Sequence, residues 1–141
     1  MPRGLRVVLA TVAGFVAGSV VNMGLIMLGG VVVPPPAGTD TSTMEGLQAA
    51  LPLFGPQHFL FPFLAHALGT LAGALVATWL APGRSAGPAW AVGVLFLLGG
   101  TANAFILPAP AWFIAADLLL AYLPMAWLAQ RLAGRAPTAA P

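Results

Sequence analysis

The chain contains no cysteine and no lysine, and charged residues make up only 6% of it. Without cysteine there are no disulfides, no thiolate nucleophile and no thiolate metal site. Without lysine there is no Schiff-base chemistry. Soluble domains carry roughly 25% charged residues, so a chain this poor in charge and 60% hydrophobic belongs in lipid. Catalytic signatures are lacking as well: there is no H-E-x-x-H, no G-x-S-x-G and no glycine loop built to cradle a phosphate. The basic excess is slight, five arginines against three acids. These arginines never cluster on one element, which excludes a nucleic-acid footprint.

What is present is a series of long apolar runs. A chain of 141 residues has room for four spans, each of about 20 residues, and no room for a separate soluble domain. The first run covers residues 5–33, behind Arg3 and Arg6. It is much longer than the core of a signal peptide, about 7–15 residues, and has no clear A-x-A site, so it reads as a retained span. The second covers 58–81, the third 88–107 and the fourth 110–132, with Pro124 expected to kink the last. The tail, 136–141, is expected to be disordered. The fold class that follows is an all-α integral membrane protein, a four-helix transmembrane bundle forming one membrane domain.

The second span, HFLFPFLAHALGTLAGALVATWLA, has two unlike faces. At 100° per residue, Pro62, His66, Gly69, Thr70, Gly73 and Ala77 share one side, and Leu60, Phe61, Leu64, Leu68, Leu71, Leu75 and Trp79 share the other. In lipid the bulky face meets acyl chains and the small face lets a neighbouring backbone approach. Ala10, Gly14, Gly18 and Asn22 form a matching stripe on the first span, so the two are expected to pack as an antiparallel pair. The G-x-x-x-G pairs Gly14/Gly18 and Gly69/Gly73 therefore read as helix packing. Thr11, Ser19, Thr70 and Thr78 can return hydrogen bonds to their own helices, and the four tryptophans read as interfacial anchors.

Residues 34–57 form the single long loop, with Asp40 and Glu45 in it. Pro34, Pro35 and Pro36 stop the first span. Ser42-Thr43-Met44-Glu45 fits an S-x-x-E capping box, predicting a short interfacial helix whose cap explains Glu45. Arg3, Arg6, Arg84, Arg131 and Arg135 fall on one side of four crossings, which the positive-inside rule makes cytoplasmic. Both termini then lie in the cytoplasm and the acidic loop faces outward. The two halves share a proline-rich outer turn and an ionisable residue several positions into the following span, a faint sign of a repeat.

At 1.5 Å per residue, His66 and Asp117 both lie roughly 10–12 Å below the outer boundary. An ionised aspartate at the middle of a span costs on the order of 3 kcal/mol and turns inward to a partner. His66 is the ionisable residue at its depth. Asn22, Asn103 and Tyr122 complete an expected polar cluster in the outer half. Two readings compete: hydrogen-bonding glue that sets helix register, or a site for a proton, cation or polar solute. A metal site is not assigned, since His58 and His66 are about 12 Å apart along one helix. His58 with Asp40 or Glu45 at the outer face is a weak alternative, and His58 reads more simply as an interfacial residue.

The segments PPPAGTD at 34–40, MEGL at 44–47, HFLFPFLAHALGTLAGALVA at 58–77, FLLGG at 96–100 and PAPAWFIAADLLLAYLPMAWL at 108–128 resemble a group of short bacterial four-span membrane proteins to which no activity is assigned. The resemblance spans residues 14–128 and implies a bacterial inner membrane. Small multidrug transporters share only the size, because their intramembrane acid lies in the first helix and Asp117 is in the fourth. The expected function is a non-enzymatic structural or accessory component, with the bilayer, copies of itself or a larger membrane complex as partners and with no cofactor. The alternative is a small solute or proton-coupled transporter built on His66 and Asp117.

Overall fold

The structure, a computed structural model, describes residues 1–134; Arg135 and the tail at 136–141 lie outside the described residues. Its α-helices are α1 Arg3–Val32, α2 Met44–Ala50, α3 Leu60–Leu80, α4 Gly87–Ile106, α5 Ala111–Leu120 and α6 Leu123–Ala133, and the described residues form no strand. Four helical stretches are long and apolar enough to cross a membrane: α1, residues 56–80 including α3, α4, and α5 with α6. The protein is thus a multi-pass membrane protein with a helical bundle fold. The observed spans fall within a few residues of the boundaries set by the apolar runs.

The bundle is held by small residues. Ala65, Ala74 and Ala77 on α3, Ala89 on α4, and Ala126 and Ala129 on α6 are all completely buried. In lipid, apolar side chains gain little by leaving one greasy phase for another, so close backbone approach and dispersion hold the helices together. The α1–α3 seam shows how close. A Cβ built on Gly14 would lie 2.5 Å from Gly73 O, and one on Gly18 would lie 2.5 Å from Gly69 O. The pairs 14/73 and 18/69 run in opposite directions, as an antiparallel pair requires. Phe96 of α4 reaches the same seam and packs on Phe15 with ring centroids 5.1 Å apart.

The fourth span is two helices. Pro124 sits at the second position of α6 and has no N–H to offer the carbonyl of Leu120 one turn back. The chain breaks at Ala121–Tyr122, two residues before the proline, with Tyr122 at φ −119, ψ −81. The kink expected at Pro124 is therefore a full interruption placed slightly earlier. At the opposite end of the chain's hairpins, Gly83 and Arg84 both have positive φ, 65° and 51°. Arg84 holds that conformation while its Nη1 donates to Ala133 O at 2.9 Å, satisfying a carbonyl at the end of α6.

One end of the bundle carries Arg3, Arg6, Arg84 and Arg131, the other Asp40, Glu45 and His58. At the acidic end the short helix α2 is present, tied to α4 by Gln48 Nε2 donating to Ile106 O at 2.9 Å. Its cap differs from the expectation. Thr43, not Ser42, is the N-cap, with Oγ1 accepting from Gly46 N at 3.0 Å. Glu45 falls in the first turn, one position too early to close a capping box on Thr43. There its charge faces the positive end of the helix.

Gly73→Ala places a methyl 2.6 Å from the backbone oxygen of Gly14, which cannot yield without parting the two helices. We expect it to lower stability by about 1–3 kcal/mol. Gly24→Ala, where a Cβ meets nothing within 4 Å, should be neutral or slightly stabilising. Thermal unfolding in mild detergent checks both.

Candidate functional site

Asp117 lies near the end of α5 and is 4% exposed. His66 is on α3, and its Nδ1 lies 2.8 Å from Asp117 Oδ1. Tyr122 Oη donates to Asp117 Oδ2 at 2.7 Å and also lies 3.0 Å from His66 Nδ1. With the carboxylate ionised, neither of its oxygens has a proton to give, so Nδ1 carries the hydrogen and directs it to Oδ1, with Tyr122 Oη beside it. This pairing leaves Nε2 of His66 as the nitrogen with no hydrogen-bond partner among the described residues, and His66 is only partly buried, on the wall of a cavity.

Local structure makes this contact possible. In an unbroken α-helix, residues five apart are turned by roughly 140° and separated by roughly 7.5 Å, so Tyr122 could not reach Asp117. The break at Ala121–Tyr122 swings the ring back, and Ala121 N still donates to Asp117 O at 2.9 Å. Gly100 of α4 clears the space: a Cβ there would collide with Tyr122 Oη. Thr70 fixes the other side, its Oγ1 donating to His66 O at 2.7 Å. Thr11, Ser19 and Thr78 likewise bond to the carbonyl four residues back in their own helices.

Above the three residues is a cavity of about 430 Å³ that runs up to the outer loop. Its walls come from α1 (Met23, Ile26), α3 (Phe61, Pro62), α4 (Ala104), α5 (Ile114) and the loop, so they are mainly apolar. A volume of this order suits a small organic ligand, and a few convergent polar groups at one end of an apolar pocket set its orientation. Asn22 and Asn103, expected within the polar cluster, line this cavity instead. Neither amide hydrogen-bonds to His66, Asp117 or Tyr122. The five residues of the expected polar cluster thus divide into a bonded core of three and two wall positions.

The mouth is framed by aromatic rings. Phe59 packs on Phe113 at 4.8 Å between centroids and edge-on to Trp112 at 5.6 Å. His58 stacks near Phe54 at 4.8 Å. Gly55 N donates to His58 Nδ1 at 3.0 Å, which puts the ring hydrogen on Nε2, aimed at Pro34 O 3.2 Å away. His58 therefore ties the start of the second span to the end of the first. Asp40 accepts from Ser42 N at 2.9 Å and from Ser42 Oγ at 2.6 Å. The outer-face trio of His58, Asp40 and Glu45 is not assembled as a ligand set. Among the described residues no three His, Asp or Glu side chains gather closely enough to hold a metal ion.

The two hydrogen bonds from Ser42 hold the Asp40 carboxyl below its ordinary value of 3.8. Some features of the site had no forewarning in the residue pattern. Gly100 stands beside Gly99 in a run that reads as generic packing, and the aromatic mouth is brought together from residues more than fifty positions apart. Compared with protein-family models, curated proteins and solved structures, the chain finds no significant match in any of the three.

Asp117→Asn and Tyr122→Phe should show a coupling of about 0.6 kcal/mol, up to ~1.7 kcal/mol, in a double-mutant cycle of unfolding in mixed micelles; strict additivity would contradict the bond. At the outer loop, a depressed carboxyl favours the folded loop above the unfolded value and loses that contribution as pH falls through the folded one. NMR titration should give Asp40 a midpoint below 3.8, and Ser42→Ala should move it upward.

Proposed function

We propose that the protein is a small proton-coupled carrier, taking an amphipathic solute from the outer side of a bacterial inner membrane. The observation that carries this reading is the 430 Å³ cavity, which leads from the outer loop to the bonded His66–Asp117–Tyr122 group. An ionisable residue inside a membrane span is costly and turns inward to a partner, and such residues mark ion and proton paths. Glue alone would call for helices closed over the polar group. Here an apolar shaft stands open above it, and a ring nitrogen at its floor can accept or donate a proton.

The orientation rests on the arginines. Arg3, Arg6, Arg84 and Arg131 gather at one end, where the positive-inside rule favours the cytoplasm, with the termini on that side and the cavity facing outward. The inner-membrane assignment rests on the resemblance of the segments at 34–47, 58–77 and 108–128 to short bacterial membrane proteins.

A second reading, an accessory component that assembles with copies of itself or with a larger membrane complex, draws on α1. Its most apolar stretch is 11% buried, against 39% in the second span. Most of that helix is thus available to lipid or to another membrane helix.

The deciding experiment uses vesicles containing purified protein and a trapped pH indicator, challenged with small aromatic amines, alcohols and acids. Proton movement with one of these classes, lost in Asp117→Asn, is the expected result. Equal traces from both proteins with every class would leave the accessory reading in place of the carrier.

A further inference from the structure

Resting on the reading of the cavity as a solute site, we infer that the solute is a small lipophilic ammonium cation and that it takes the place of a proton on His66. The argument is one of charge. When Nδ1 of His66 donates to Asp117 Oδ1 and Nε2 is bare, the group carries one net negative charge within a membrane span. A lone charge in such surroundings must be cancelled or it is severely penalised. A proton on Nε2 cancels it, making an imidazolium–carboxylate pair. An organic ammonium whose N–H donates to the bare Nε2 cancels it equally well.

Among the described residues nothing else near the floor supplies the missing charge. From α1 the facing polar residue is Asn22, from α4 Asn103, and both are neutral amides. From α5 and the break comes Asp117 with Tyr122, whose hydroxyl is already given to Oδ2. His58 is the other titratable residue on the wall, and it stands at the mouth with both nitrogens turned to backbone atoms. The described arginines lie at the far end of the chain's hairpins. An anionic solute would add a second negative charge beside Asp117, and a neutral one would leave the proton on Nε2 and so exchange with nothing.

The walls select the rest of the molecule. Phe54, Phe59, Phe61 and Phe113 line the cavity, and ring faces attract organic cations while their apolar bodies accept a hydrocarbon or aromatic tail. The exchange balances: the imidazolium loses its Nε2 proton to solution, the ammonium enters, and the net charge of the group stays at zero. Proton and amine occupy the same place in turn, so amine binding weakens as pH falls.

Calorimetry on the full chain in mild detergent tests this with 2-phenylethylammonium, its neutral isostere 2-phenylethanol and the anion phenylacetate as probes. Repeating the titration in buffers of different ionisation enthalpy counts the protons released. The expected result is that the amine binds at least about tenfold more tightly than the alcohol, with close to one proton released per amine. Asp117→Asn should abolish the amine's advantage, and circular dichroism will show whether that variant is folded; the proton count on the unaltered protein stands without it. Alcohol binding as tight as amine binding, or amine binding without proton release, overturns the cation assignment while the cavity remains a solute site. Binding of none of the three probes overturns the inference together with the carrier reading beneath it.

Discussion

Asp117 takes a hydrogen bond on each carboxylate oxygen, from His66 Nδ1 and Tyr122 Oη, because a carboxylate this deep in a membrane span is costly without partners. That requirement accounts for much of the outer half of the bundle. It brings α3 to α5 through His66, and it gives the Tyr122 hydroxyl a destination. It also explains why the fourth span tolerates an interruption that lipid would punish elsewhere: the carbonyls and amides freed near Ala121 are inside the bundle, beside Asp117 and the chain that follows. Gly100 has no side chain because Tyr122 Oη occupies the place where one would begin. Two residues from two spans, His66 and Tyr122, and one absent side chain from a third answer a single buried carboxylate.

The α1–α3 seam runs from one end of the bundle to the other. Toward the basic end backbones nearly touch at Gly14/Gly73, and toward the acidic end Phe61 sits against Gly29. Met23 and Ile26 of α1 line the cavity beside that contact. Loop 34–57 lines the outer end of the cavity, with His58 holding the ends of the first two spans together through Pro34 O.

Much of this was legible in the residues. Four crossings, their ends and the antiparallel seam follow from apolar length and from the spacing of Gly14, Gly18, Gly69 and Gly73, since period and residue size are local properties of a helix. The shared depth of His66 and Asp117 follows from counting at a fixed rise. What depends on azimuth and on side-chain reach does not follow from counting. Asn22 and Asn103 have suitable depth yet lie on the cavity wall. Tyr122 is on the wrong face of an ideal helix for Asp117 and arrives only because the chain breaks before Pro124. The cap of α2 was misread by one position because Ser42 and Thr43 are both good caps, and Asp40 takes Ser42 for its own loop.

The glycine and alanine seam also has a mechanical side. Surfaces made of large interdigitated knobs lock, since moving one past another means climbing out of every hole. The α1–α3 seam has knobs of this kind where Phe61 sits against Gly29 and Phe96 against Gly18, so α1 is keyed in register on its neighbours, while the interruption at Ala121–Tyr122 sets the two helices of the fourth span end to end beside the buried carboxylate.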